Sequence, residues 1–282
     1  MEPNKFSAIL KGLLHHPLAK LIIFLYVALT AYWIWIYSLS LTEGTLNNIY
    51  GLLYPIISLL GGVYGLFFES KRWGGYKSVI GRGIIFLSLG LLAEVFGQWA
   101  WSYYTMIEQI EVPYPSIADI GYFAIVPFYS YAMYNFMVAA GIKFSLRTYL
   151  GKLQALVVPL VMIAVAYFLF FKNVEVDLGQ PLKTFLDFGY PGFEAIAISI
   201  GILTYSLSRK LLGGIMRPKI FFLVFALVAQ YITDYTFLYQ VGVGTYYNGG
   251  VVDLMYATSF AIMALGVISF TQVYNRLNQT QI

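Results

Sequence analysis

Long apolar runs, each about as long as a bilayer is thick, dominate this chain and are separated by short polar connections. Eight of them are predicted to be membrane-crossing helices, at residues 19–40, 47–68, 79–104, 117–139, 150–171, 184–207, 219–241 and 250–274. About 20 apolar residues in an α-helix cross a hydrocarbon layer roughly 30 Å thick. The expected fold class is therefore all-α, a polytopic membrane helical bundle. Ahead of the first run, Phe6, Ile9, Leu10, Leu13 and Leu14 recur at helical spacing, with Lys5, Lys11 and His15 off that face. Residues 1–17 read as an amphipathic segment lying on the inner leaflet. No small-residue cleavage site follows the first apolar run, so a retained anchor is expected rather than a signal peptide.

The charges in the connections alternate. Lys5, Lys11 and Lys20 precede or begin the first run; Lys71, Arg72, Lys77 and Arg82 follow the second; Lys143, Arg147 and Lys152 follow the fourth. Arg209, Lys210, Arg217 and Lys219 follow the sixth, and Arg276 follows the eighth. The remaining connections are acidic, balanced or uncharged. Basic loops stay in the cytoplasm, which places both termini there in a cell-membrane protein.

The chain also repeats itself. Sliding it by 136 residues superposes residues 54–104 on 190–240 and matches Tyr54 with Tyr190, Pro55 with Pro191 and Gly65 with Gly201. A slide shorter by two residues aligns Asp119 and Tyr122 with Asp253 and Tyr256. The expected organisation is a parallel 4+4 repeat: an N-terminal segment 1–17, a first four-helix unit 18–141, a second 142–275, and a cytoplasmic tail 276–282.

Composition sharpens this picture. Hydrophobic residues make up 60% of the chain and charged residues only 11%, with a mean hydropathy of +0.73, so lipid is the main solvent and partner. The net charge of +4 comes from loop cations arranged by topology, which argues against a nucleic-acid partner. The absence of cysteine removes disulfides, thiolate nucleophiles and cysteine metal sites. The predicted seventh and eighth spans carry no mid-membrane lysine for a retinal Schiff base, and both histidines precede the first span, so no haem ligand is available. No phosphate-binding loop, HExxH or GxSxG motif occurs, which weighs against an enzyme, and no cofactor is implied. A metal site is not assigned.

The candidate chemistry lies in polar residues within the apolar runs, where they are costly and by default functional. Glu94 and its repeat counterpart Gln230 fall at mid-span, and Gln98 and its counterpart Asp234 lie one turn further out. Glu194 is also near mid-depth, with Asp187, Asp119 and Asp253 toward the outer ends. No lysine or arginine is available at the depth of Glu94 and Asp234, so these two are expected to be protonated, to share a proton, or to hold a cation. The bland alternatives are hydrogen-bonded helix glue for these two and helix capping for Asp119, Asp253 and Asp187. Trp33, Trp35, Tyr37, Trp101, Tyr103 and Tyr104 read as an interfacial belt. Trp99, Tyr122, Tyr235 and Tyr256 are the candidate lining for a pocket.

The segment Pro115-Ser116-Ile117-Ala118-Asp119-Ile120-Gly121-Tyr122-Phe123 resembles a Pro-Ser-x-Ala-Asp-x-x-Tyr-Leu signature. It recurs in multi-pass membrane regions joined to bacterial cyclic-di-GMP cyclases and phosphodiesterases. That resemblance implies an input module, with Asp119 and Tyr122 shaping an outward-facing site. No cyclase, phosphodiesterase or kinase domain follows in this sequence, so a signal would leave through another protein.

The leading expectation is a membrane sensor or ligand-binding module. Its site is Glu94, Gln98, Asp119, Tyr122, Glu194, Gln230, Asp234, Asp253 and Tyr256, and its ligand a small molecule or cation. The alternatives are a proton, cation or cationic-solute transporter or channel, and an accessory subunit held by a membrane-protein partner.

Overall fold

In a computed structural model, residues 12–139, 141, 146–173, 176–207 and 217–279 are described, and every long element among them is a helix. A backbone in lipid must satisfy its own hydrogen bonds, which explains the exclusive use of helix. The helices are α1 (Pro17–Ser38), α2 (Thr45–Leu53), α3 (Ile56–Tyr64), α4 (Ser70–Arg72), α5 (Val79–Tyr103) and α6 (Ile117–Ala139). They continue as α7 (Tyr149–Leu169), α8 (Pro181–Leu207), α9 (Arg217–Gly242), α10 (Val251–Ile268) and α11 (Phe270–Gln279). Pro55 lacks the amide that would join α2 to α3, and a π-turn at Gly65–Glu69 joins α3 to α4, so these pieces form one span, Thr45–Arg72. A second π-turn, Tyr104–Glu108, extends α5.

Among the described residues, seven spans are long and apolar enough to cross a membrane, making this a multi-pass membrane protein. The helix at 117–139 is 23 residues long but more polar, because Asp119, Asn135 and the tyrosines at 122, 129, 131 and 134 interrupt its apolar run. Of the predicted N-terminal segment, Phe6, Ile9 and Leu10 lie outside the described residues. Leu13 is buried in the bundle and Leu14 is exposed. The basic residues Arg209, Lys210 and Lys143 and residues 280–282 also lie outside the described set, while helix continues to Gln279.

Neighbouring contacts close a ring in the order α3, α5, α6, α8, α9, α10 and back to α3. α1 packs outside the ring on α2, α3 and α10; α7 rests chiefly on α8, and Leu150, Leu153, Leu156, Leu160 and Ile163 along it are exposed, as lipid-facing residues would be. The tightest pair is α5 with α6. Gly83, Gly90 and Gly97 recur at seven-residue spacing on α5, and each is covered by a ring from α6: Phe136, Tyr129 and Tyr122 in turn. The α6 rings also recur every seven residues in the opposite direction, so the helices mesh as an antiparallel zipper. Small residues permit this approach where lipid supplies no hydrophobic drive between helices.

At the end carrying Lys71, Arg72 and Lys77, the chain gathers a buried polar hub. Glu69 is 0% exposed and accepts from Thr271 Oγ1 at 2.7 Å, Trp73 Nε1 at 3.1 Å, Arg72 Nη1 at 3.3 Å and the Tyr64 hydroxyl at 3.3 Å. His16 Nε2 lies 3.0 Å from the same Tyr64 hydroxyl. Burial and then the nearby Arg72 guanidinium push the His16 imidazole below its usual pKa. The hub thus ties the start of α1 to the end of span Thr45–Arg72 and to α11.

Candidate functional site

The ring encloses a cavity of ≈ 1380 Å³ that opens at the opposite end, among the connections between α1 and α2, α5 and α6, α7 and α8, and α9 and α10. Toward the basic end the ring is filled by Ile84, Leu87, Leu91, Met133, Leu223, Met263 and Val267, all nearly or fully buried. The cavity is therefore a blind funnel with an apolar floor.

Its deepest polar layer is built by the α5–α6 zipper. Tyr129, seated on Gly90, donates to Glu94 Oε1 at 2.9 Å, and Tyr122, seated on Gly97, donates to Gln98 Oε1 at 2.7 Å. Ser58 Oγ approaches Glu94 Oε2 at 3.5 Å, the edge of hydrogen-bonding range. Across the ring, Tyr256 donates to Asp234 Oδ1 at 2.8 Å, Gln230 Nε2 donates to the same oxygen at 3.2 Å, and Ser259 donates to Gln230 Oε1 at 2.6 Å. The Glu194 carboxyl lies within hydrogen-bonding reach of Asp234. Its Oε2 is buried and has no partner, and neither has the Nε2 of Gln98, a residue only 6% exposed.

Nearer the mouth, Asp119 serves two purposes. Its Oδ2 accepts from the Ser116 backbone amide at 2.6 Å, closing a capping box at the start of α6, while Oδ1 accepts from Tyr190 at 2.7 Å. Tyr114 donates to Asp187 at 2.8 Å; burial and this carboxylate push the phenol above its usual pKa, so it stays a donor. The mouth is pinned by Asn248, whose carbonyl accepts from Asn47 at 2.9 Å and whose side chain bonds Asn48 at 2.8 Å and the Trp101 indole at 3.0 Å.

Eight of the nine sequence candidates line this single cavity: Glu94, Gln98, Asp119, Tyr122, Glu194, Gln230, Asp234 and Tyr256. Asp253 does not. It is fully buried, its Oδ2 accepting from the Gly249 amide at 2.7 Å and its Oδ1 from Tyr246 at 3.2 Å, so it holds the connection ahead of α10. Among the aromatics, Trp99 and Tyr235 stay off the cavity wall; Trp99 is 40% exposed and donates to the Leu52 carbonyl. Trp101, assigned to the interfacial belt from its position, lines the cavity instead. Helical geometry explains the exchange. Residues 94, 98, 101 and 105 share one stripe, whereas 99 is turned about 140° from 94. Tyr54, Tyr129, Tyr190 and Tyr246 also line the cavity and were not among the candidates. The tyrosine–proline repeat could have signalled the first and third, and the glycine spacing on α5 the second.

The charge of the lining is one-sided. Among the described residues, Glu43, Glu94, Glu111, Asp119, Asp177, Asp187, Glu194 and Asp234 face this space, eight acids against Lys183 as the one lysine or arginine. A low-dielectric wall around like charges focuses their field into the opening and raises the local cation concentration. No family model matches the chain, and neither a curated protein nor a solved structure shows significant similarity to it.

Proposed function

We propose that this protein is a membrane sensor or ligand-binding module whose cavity receives a cationic ligand from the outer side. The observation that carries the reading is the eight-to-one excess of acids over bases, among the described residues, lining one blind cavity. Such a concentration of carboxyl groups is costly away from water unless protons or a cation compensate it. The placement of Asp119 and Tyr122 on the wall fits the input-site role implied by the signature segment.

The architecture we infer is eight crossings in a parallel 4+4 repeat, with α6 as the fourth. Supporting it, the counterpart positions Gln98 and Asp234 accept from the counterpart tyrosines Tyr122 and Tyr256, at 2.7 and 2.8 Å. Asp119 and Asp253 each accept a backbone amide just ahead of their own helix. Basic residues in the connections at the closed end support a cytoplasmic location for that end and for both termini, with the mouth outside. Single cysteines test this orientation, since the chain has none of its own. Ile110→Cys and Val243→Cys are expected to react with a membrane-impermeant maleimide on intact cells, and Tyr76→Cys only after lysis. Labelling of Tyr76→Cys from outside would reverse the assignment.

For function, we expect saturable binding of organic ammonium ions to protein in mild detergent, read by calorimetry and native mass spectrometry. Glu94→Gln with Asp234→Asn should weaken it by about 100-fold, in the range that loss of close charge pairs produces. Carboxylate anions of equal size should not bind. Unchanged cation affinity in the folded double variant, or equal affinity for anions, would refute the reading.

A second reading, transport, is favoured by Pro191 within α8 and by the break at Pro55, both in spans that line the cavity, where kinked helices suit alternating access. Cation flux into proteoliposomes that depends on Glu94 or Asp234 would select it; a sensor moves nothing.

A further inference from the structure

We propose that the ligand is a linear polyamine, a flexible methylene chain bearing several protonated amines, an assignment that rests on the cation-binding reading above. Three features of the cavity point to this class. The first is depth. The acids form a ladder rather than a ring: Asp187 on α8 lies seven residues, about 10 Å, above Glu194, and Asp119 lies ten residues, about 15 Å, above Tyr129, which donates to Glu94. One monovalent ion can neutralise only one rung of such a ladder. Among the described residues, no group of three His, Asp or Glu side chains is spaced to hold one metal ion.

The second feature is unmet hydrogen bonding. Glu194 Oε2 is buried without an N–H donor, its carboxyl facing that of Asp234, and Glu94 Oε2 has only the long Ser58 contact. Buried acceptors call for N–H donors, which protonated primary and secondary amines supply and a quaternary ammonium lacks. Gln98, 6% exposed and lining the cavity, leaves Nε2 unpaired as well, so the hydrogen bonding of this layer is incomplete on the donor side too.

The third feature is the apolar wall: Ile125 and Val126 lie between Asp119 and Tyr129 on α6, and Ala197, Ile198 and Leu227 line the cavity beyond Glu194 and Asp234 toward its floor. Methylenes between charged nitrogens fit such a wall; a hydrated inorganic ion gains nothing from it.

The test uses the full-length protein in mild detergent, titrated with spermine, putrescine, n-butylamine, choline and magnesium chloride. Affinity is expected to rise by about tenfold with each added ammonium, as successive charges find carboxylates at an effective local concentration. Asp187→Asn, at the mouth, should weaken spermine by about tenfold and leave butylamine unchanged, whereas Glu194→Gln should weaken both. Choline should not displace spermine, nor should magnesium at equal concentration. Butylamine or choline binding as tightly as spermine would overturn the polyamine assignment while leaving a cation-binding cavity in place. Equal losses of spermine and butylamine in Asp187→Asn would overturn the ladder. Failure of every cation to bind the folded wild type would refute the cation reading and this assignment together.

Discussion

Gly121→Val is expected to lower the stability of the protein by about 3 kcal/mol, at the upper end of what overpacking costs. Gly121 on α6 sits against backbone atoms of Ala93 and Gly97 on α5, inside the distance at which any Cβ fits. A flexible side chain can swing away from a new methyl group; a helix backbone cannot, so the pair must separate. Thermal unfolding in detergent should shift down by roughly 6–12 °C at the sensitivity known for domains of this size. Binding should suffer as well, because this contact holds Tyr122 on Gln98 and Tyr129 on Glu94. By comparison, Gly242→Val, where nothing lies within 4 Å, should leave the midpoint nearly unchanged. A Gly121→Val protein that melts like the wild type would show that the two helices are not held at this spacing.

Glu69→Leu should cost a similar amount, about 3 kcal/mol, for a different reason. Its carboxylate is wholly buried and accepts from four donors, on Tyr64, Arg72, Trp73 and Thr271. Leucine fills the volume and leaves those donors facing an apolar group, and each buried unpaired polar group costs roughly 1–3 kcal/mol. Arg72 recovers part of that loss, because its side chain is 40% exposed and can turn to water. Glu69→Gln keeps one acceptor oxygen and should cost about half as much. The readout is the melting midpoint followed by tryptophan fluorescence, with Trp73 reporting locally. Cation affinity should change little, because the hub lies at the closed end of the bundle. A Glu69→Leu midpoint within about 2 °C of the wild type would show that the hub does not bind these helix ends together.

The segments were legible because lipid imposes a simple rule on sequence. A crossing helix must be apolar over a fixed length, so the predicted runs match the observed helices closely, with 150–171 and 250–274 recovered to within two residues at each end. The candidate acids were legible for the converse reason: a carboxylate in such a run is expensive and stands out. Less visible was the face each residue presents. Trp99 and Trp101 differ by two residues, yet one meets the outside of the bundle and the other the cavity. Glycines at 83, 90 and 97 carried the α5–α6 pairing in plain view, but only their aromatic partners, running in the opposite direction on α6, give that spacing a meaning.

By itself, then, the sequence determined a multi-pass helical membrane protein and most of its polar intramembrane residues, because hydropathy and burial cost act locally along the chain. The tertiary structure decided that eight of those residues share one cavity, that Asp253 instead holds a connection, and that Glu69 joins the ends of distant helices. Convergence of this kind depends on which helices are neighbours and on how each is rotated. Both are set by side-chain packing between segments far apart in the chain, and a count of apolar residues within any one segment does not contain them.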